Sequence, residues 1–217
     1  MRIVVTAGPT REPIDPVRFI SNRSSGKMGY AIAEAALEHG DDVTLISGPV
    51  ALTAPDGARV INVTTSDELH DAVHAQLADC DVLVMCAAVS DYKPVSAAAT
   101  KLAKQTGTFA LQLTPTRDIL RSLPSGNRSY LVVGFAAETH DVAASAQRKL
   151  RAKNCDMIVA NDVSCSDSGM ESDDNEVTIY SLGGEPKFIS HAPKKTIARE
   201  ILKIVFEFHQ KSSTKKS

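Results

Sequence analysis

Ser24, Ser25 and Gly26 precede a lysine and a second glycine in the stretch SNRSSGKMGYAIAEAA (21–36), whose alanine-rich continuation has a helical period. The first N–H groups of a helix lack intrahelical partners and carry the positive end of its dipole, so this junction suits an anion. It matches neither familiar phosphate pattern. Lys27 is followed by Met28 rather than Ser or Thr and the upstream glycine is missing, which excludes a P-loop. The helix does not open directly from the first strand, whose turn reads AGPTREP, and the second strand ends in LISGPV with no acid for a ribose hydroxyl, unlike a dinucleotide fingerprint. The plainer reading of Lys27 is a solvated first-turn lysine.

Other charged residues extend the theme. Lys149 and Lys153 are spaced i, i+4 in QRKLRAK, so both ammonium groups share one helix face, and a polyanion between them would relieve their repulsion. A solvated basic face near a helix C-terminus, where cations suit the dipole, is the commoner origin of such pairs. Lys101 and Lys104 lie in an aperiodic stretch, 90–108, long enough to suggest a functional loop. Asp91 and Asp118 are acids near strand ends that could hold a ribose or a Mg²⁺ on a triphosphate. Asp118, in TPTRDIL, also reads as a turn or helix cap. His70 and His74 are one helical turn apart, but no glutamate follows His70 and no third ligand is evident, so they read as a solvated helix face.

The elements that must position these groups alternate. Strands are expected at 2–6, 42–47, 81–89, 129–138 and 155–162, with an exposed or edge strand at 109–114 and a hairpin of 176–182 and 186–190 about Gly183-Gly184. Helices are expected from Gly26 to about His39 with Gly40 as C-cap, over 64–78 with a capping box placed at Ser66, over about 142–153, and over about 194–208. The polar basic tail 209–217 is expected to be disordered. This order predicts an α/β fold: a Rossmann-like, doubly wound, mostly parallel sheet in a single domain, 1–208, with an additional small β hairpin. Ligands of such sheets lie at the carboxyl ends of the strands, here AAVSDYKP (87–94), GFAAETHD (134–141) and ANDVS (160–164), all rich in small residues.

Composition excludes several classes. With 217 residues, 43% hydrophobic and 23% charged, the chain is long enough for one generous core, and a net charge of −2 argues against nucleic acid. No apolar run approaches the ~20 residues of a membrane helix, and no signal peptide opens the chain. Cys80, Cys86, Cys155 and Cys165 are scattered, which suits buried thiols in a reducing, cytoplasmic compartment.

The motifs TAGPTREPIDPVRFISNRSSGKMGYAIA, CAAVSDYKP, KLAK, VVGFAAET, KLRAKNCDMIVANDV and SDDNEVTIY, in this order over about 3–206, resemble the phosphopantothenoylcysteine synthetase family, in particular the synthetase half of the bacterial bifunctional coenzyme A enzyme. The resemblance implies a ligase that joins 4′-phosphopantothenate to L-cysteine with CTP and Mg²⁺. The carboxylate attacks the α-phosphate to give an acyl-cytidylate and pyrophosphate, and the cysteine amine then displaces CMP. It implies phosphate cradling by Ser24, Ser25 and Gly26. It implies an acyl-intermediate contact by Asn22, with Ala88 also at the substrate, and a pantothenate-side role for Arg18, by way of a partner subunit. The resemblance makes Lys101 the loop lysine that stabilises the α-phosphate, and Lys149, Lys153 and Asp91 nucleotide-site groups. Met85, Cys86, Ala87, Arg117, Asp118, Ile119, Leu120 and Phe135 would surround the cytidine; metal ligands stay unassigned. A homodimer, paired through strands outside the main sheet, and association with a phosphopantothenoylcysteine decarboxylase are also implied. Two departures bear on the finer base contacts: TKLAK places Ala103 where the family has a further lysine, and PTRDIL places Arg117 where it has proline.

Two other readings of the residues stand beside this. A nicotinamide-dependent reductase would share the fold, but lacks here both the acid after the second strand and a Tyr-x-x-x-Lys pair. A non-enzymatic nucleotide-binding subunit would have no need of both Asn22 and Lys101.

Overall fold

A computed structural model of the chain describes residues 1–104, 106–124, 126, 128–138, 141–162 and 172–214. In chain order the strands are β1 (Arg2–Ala7), β2 (Arg11–Pro13), β3 (Phe19–Ser21), β4 (Asp42–Ser47), β5 (Arg59–Asn62), β6 (Val82–Met85), β7 (Tyr92–Pro94), β8 (Leu113–Pro115), β9 (Leu131–Glu138), β10 (Met157–Asp162), β11 (Asp174–Ser181) and β12 (Lys187–Pro193). The helices are α1 (Lys27–Glu38), α2 (Ser66–Gln76), the single turn α3 (Ile119–Ser122), α4 (Val142–Ala152) and α5 (Lys194–Thr214).

Eight strands form one sheet in the order β12-β11-β10-β9-β6-β1-β4-β5. β9, β10, β6, β1, β4 and β5 run parallel, and the β11–β12 hairpin adds antiparallel strands at one edge. The continuously apolar runs are the central strands, because a parallel sheet covered on both faces has no polar side. On one face the buried alanines and Ile32 of α1 pack with Ile197, Ala198, Ile201 and Val205 of α5. On the other, Leu69 and Val73 of α2 and Ala146 and Leu150 of α4 pack on Ile46, Leu83, Val132 and Ile158. Two antiparallel ribbons, β2–β3 and β7–β8, stand outside the main sheet.

Several boundaries differ from expectation. The strand expected at 109–114 is only β8, because its partner is the three-residue β7 and pairing stops with it. β7 itself falls inside the stretch expected to be irregular. Strand 81–89 ends at Met85, beyond which the backbone bonds to the loop after β1 instead of continuing its ladder. The capping box of α2 is formed by Thr65 and Glu68, not Ser66: the Thr65 side chain accepts from the Glu68 N–H, and the Glu68 carboxylate receives the N–H groups of Thr64 and Thr65. β5 and the β2–β3 ribbon carry no periodic apolar signal and are additions. The final helix continues to Thr214, into the tail expected to be disordered. Thr139, His140, Val163, Ser164, Cys165 and 215–217 lie outside the described residues.

At Gly29, α1 lies close against β1. A Cβ on Gly29 would lie 2.6 Å from Ala7 Cβ and 3.0 Å from the Thr6 carbonyl oxygen. No flexible side chain is there to yield, so the helix would have to lift off the strand. Gly29→Ala is expected to lower unfolding stability by about 1–3 kcal/mol, the cost of overpacking, read as a lower urea midpoint at constant slope. An unchanged or raised midpoint would show that this approach is not fixed by the glycine.

Candidate active site

The chain winds from β1 to β4 and β5 on one side and returns through β6 on the other, so the loops after β1 and β6 part and leave a crevice at the strands' carboxyl ends. The crevice is a cleft of about 440 Å³, the scale of a small-molecule site.

Its floor is backbone held in place by the first strand. Thr6 Oγ1 accepts the Ala87 N–H at 3.1 Å and Thr10 Oγ1 accepts the Ser90 N–H at 3.0 Å. The Ala88 N–H donates to the Gly8 carbonyl at 2.9 Å, and the Thr10 N–H to the Ala88 carbonyl at 3.2 Å. Asn22 reaches in from the end of β3, and its Nδ2 donates to the carbonyls of Ala88 and Val89, both at 3.1 Å. Both amide hydrogens are thereby directed at backbone, which leaves Oδ1, an acceptor, as the atom Asn22 can turn to a substrate.

One wall is the mouth of α1, with Ser24, Gly26 and Lys27. Gly26 is the N-cap with φ 79°, and a Cβ there would lie 2.8 Å from Val50 Cγ1, so only glycine fits. Lys27 Nζ pairs with Asp173 at 2.6 Å, and this partner holds the Asp173 carboxyl below its ordinary pKa. The opposite wall is Thr116 to Leu120, Phe135 and the α4 face with Lys149 and Lys153. Asp118 is indeed a cap: Oδ1 accepts the Arg121 N–H at 3.2 Å, while Oδ2 lies 3.7 Å from Lys153 Nζ. Arg117 lines the cleft with its guanidinium paired to α2, to Asp67 at 3.1 Å and Asp71 at 3.3 Å. Asp91 lines the cleft, and its carbonyl accepts the Thr116 N–H at 2.9 Å. Met85, Cys86, Ala87, Ala88, Ile119 and Leu120 complete the apolar lining.

Three expected residues are elsewhere. Ser25 is not among the lining residues. Arg18 is turned back on Asp15, with Nε 3.0 Å from Oδ2. Lys101 is exposed and does not line the cleft, because its neighbour Leu102 is bonded to the 14–18 segment. The guanidinium of Arg18 is the main reason that the Asp15 carboxyl is held well below the usual range.

The cleft also contains groups that motif reading missed. Lys194, at the first position of α5, is 6% exposed, and its Nζ donates to the Ser172 carbonyl. Burial, then the nearby Lys27 charge, push its pKa down. Asn161 and Asn175 line the same end. Ser90 Oγ is buried without a hydrogen-bond partner among the described residues. A signal existed for one of these: Lys194, like Lys27, opens a helix, where the dipole disfavours cations, and residues set against the dipole suggest a further demand. His70 and His74 are half-buried, not solvated, with rings 4.3 Å apart, and His74 Nε2 lies 2.9 Å from Ser122 Oγ. Among the described residues no cluster of three or more His, Cys, Asp or Glu forms a metal site, and no helix is long and apolar enough to cross a membrane.

Comparison with known proteins bears on the family and the fold. Residues 1–208 match the family model of the DNA/pantothenate metabolism flavoprotein C-terminal domain. The coenzyme A biosynthesis bifunctional protein CoaBC of Vibrio vulnificus (strain CMCP6) is 48% identical over 205 residues, 93% of this chain and 51% of the relative. That of Bacillus subtilis (strain 168) is 45% identical over 201 residues, 92% and 50% respectively. The chain thus spans about half the length of these curated relatives. A crystal structure of the C-terminal domain of coenzyme A biosynthesis bifunctional protein CoaBC superposes with TM-score 0.82 at 42% identity, covering 97% of this chain and 96% of that one.

The cleft thiol gives a test of how dry the lining is. Burial pushes Cys86 up to about 12, and Cys80 and Cys155 likewise. At pH 8, four units below that value, roughly one molecule in 10⁴ carries the thiolate, the form that reacts. Iodoacetamide at pH 8 should leave all three unmodified in the folded chain and alkylate them in denaturant, read by peptide mapping. Rapid alkylation of Cys86 in the folded chain would mean that the lining is wet.

Proposed function

The chain belongs to the DNA/pantothenate metabolism flavoprotein C-terminal domain family, and on that premise we propose that it is a phosphopantothenate–cysteine ligase of coenzyme A biosynthesis that uses CTP. The observation that carries the reading is the cleft at the sheet's switch point, where the α1 mouth with Lys27 faces Lys149 and Lys153 across a space that suits a nucleotide.

In the first step a carboxylate oxygen of 4′-phosphopantothenate attacks the α-phosphorus of CTP, the bridging P–O bond breaks, and pyrophosphate leaves. The lysines and the α1 N–H groups meet the negative charge that builds on the phosphates. In the second step the amine of L-cysteine attacks the acyl carbon, the acyl–phosphate bond breaks, CMP departs and the amine loses a proton. Asn22 Oδ1 suits this step, because an acceptor orients an attacking amine. No strong general base is required, since both nucleophiles act chiefly through proximity. The apolar wall of Phe135 and Leu120 supports selection of a pyrimidine by shape. Mg²⁺ commonly keeps most of its ligands as water and substrate phosphate and takes one or two from protein carboxylates. Asp91 fits such a role, whereas Asp118 is committed to its cap and Lys153.

Assembly follows from the ribbons. Val17, Phe19, Tyr92, Val95, Phe109 and Leu113 are large apolar residues between 45% and 60% exposed on or beside β2–β3 and β7–β8. Exposed apolar clusters of this kind favour association, so the proposed functional unit is a homodimer closed through these ribbons, in the cytoplasm. Association with the decarboxylase that supplies the other half of the bifunctional relatives is part of the same reading. Light scattering at micromolar concentration should give twice the 23.2 kDa chain mass, and a monomer there would remove the assembly.

The reaction itself is tested by pyrophosphate release from a panel of nucleoside triphosphates with Mg²⁺ and 4′-phosphopantothenate, with and without cysteine. Release with CTP alone, and CMP only after cysteine is added, is expected. Release with ATP instead would keep the ligase and change the nucleotide; no release with any nucleotide would overturn the function.

A further inference from the structure

Arg18 and the loop of Lys101 lie outside the cleft, yet one carboxylate organises both. The Asp15 side chain has no exposed surface. Its Oδ1 accepts the N–H groups of Val17 at 2.9 Å and Arg18 at 2.8 Å. Its Oδ2 accepts Arg18 Nε at 3.0 Å, Arg18 Nη2 at 2.5 Å and the Leu102 N–H at 3.1 Å. Arg18 Nη2 closes the ring by donating to the Leu102 carbonyl at 3.0 Å. Four residues earlier in the loop, the Ala98 N–H donates to the Ile14 carbonyl at 2.9 Å. Lys101 therefore hangs between two anchor points, both on the segment that leads through β3 into Asn22.

A carboxylate stripped of water is unfavourable unless it is fully bonded, and pairs of this kind fix geometry more than they stabilise a fold. Here the five donors come from two segments more than eighty residues apart in sequence, and no group bonded to Asp15 lines the cleft. Resting on the ligase reading, we propose that Asp15 is a positioning residue that makes Arg18 and the Lys101 loop one rigid unit, presented to the acyl and α-phosphate end of the reaction and independent of nucleotide binding in the cleft.

Asp15→Asn keeps size and one acceptor oxygen but loses the charge and the second acceptor. It is expected to lower kcat for pyrophosphate release by about 10–100-fold, as misplacement of catalytic groups does, with KM for CTP within about twofold. In a chain already carrying Arg18→Ala and Lys101→Ala, the same change should cost less than about twofold, since nothing is left to position. Equal loss in both backgrounds, or a rise in KM with kcat intact, would overturn the proposal. Leu102→Pro removes the loop's N–H and leaves the Asp15–Arg18 pair, so it gives the same readout if Asp15→Asn does not fold. Trypsin supplies a measure independent of turnover: cleavage after Lys101 and Lys104 should be at least about tenfold faster in either variant, in the regime where cutting follows local opening, and an unchanged rate would refute the anchoring. Faster cleavage in a protein whose parent releases no pyrophosphate would sink the ligase reading and leave the anchor standing.

Discussion

The bonding of the 86–91 backbone to the loop after β1 is the constraint on which the site depends. At the switch point of a parallel sheet, neighbouring strands lead their chains to opposite sides, and the strand ends would otherwise carry unpaired N–H and C=O groups. Here those groups are matched by Thr6, Gly8, Thr10 and Asn22, and at the far end by Thr116. Thr6 and Thr10 are fully buried for that purpose. A hydroxyl at these places accepts an N–H that valine, its isostere, would strand.

The constraint explains why the site is built so largely from small residues. Backbone that must serve as wall and floor cannot be screened by side chains, and Ala87, Ala88 and Gly26 are among the residues that line the cleft. Gly29 serves the same end from behind: by letting α1 sit on β1, it brings the helix mouth down to the level of the strand ends, where its N–H groups face the cleft.

The sequence showed the sheet and its long helices plainly, because strands buried on both faces are continuously apolar and α1 and α4 have clear periods. The short ribbons were mostly illegible for the converse reason. β2, β3 and β7 are three-residue strands whose apolar residues, Phe19 and Tyr92 among them, are exposed, so no alternation records them; of these ribbons only β8 had a signal, as the end of the alternating stretch 109–114. The helix mouth and the α4 lysines stood out in the sequence by residue type and spacing, and the fold brings them to one cleft. Arg18 and Lys101 were assigned through resemblance, and resemblance says nothing of where a side chain turns: a buried carboxylate three residues from Arg18 decides it. Asn175 reaches the cleft only because the β11–β12 hairpin and α5 close the far edge, a tertiary fact without local signature.

The lysines that open α1 and α5 oppose both dipoles, and Lys194 is also nearly buried, so neither placement favours the fold by itself. Partners of both come from the segment that enters β11: Asp173 pairs with Lys27, and the Ser172 carbonyl accepts from Lys194. A phosphate chain across the helix mouth would offer each lysine a stronger partner than an 88%-exposed carboxylate or a neutral carbonyl. On the ligase reading proposed above, the phosphates would compete with contacts that the segment entering β11 makes to both lysines.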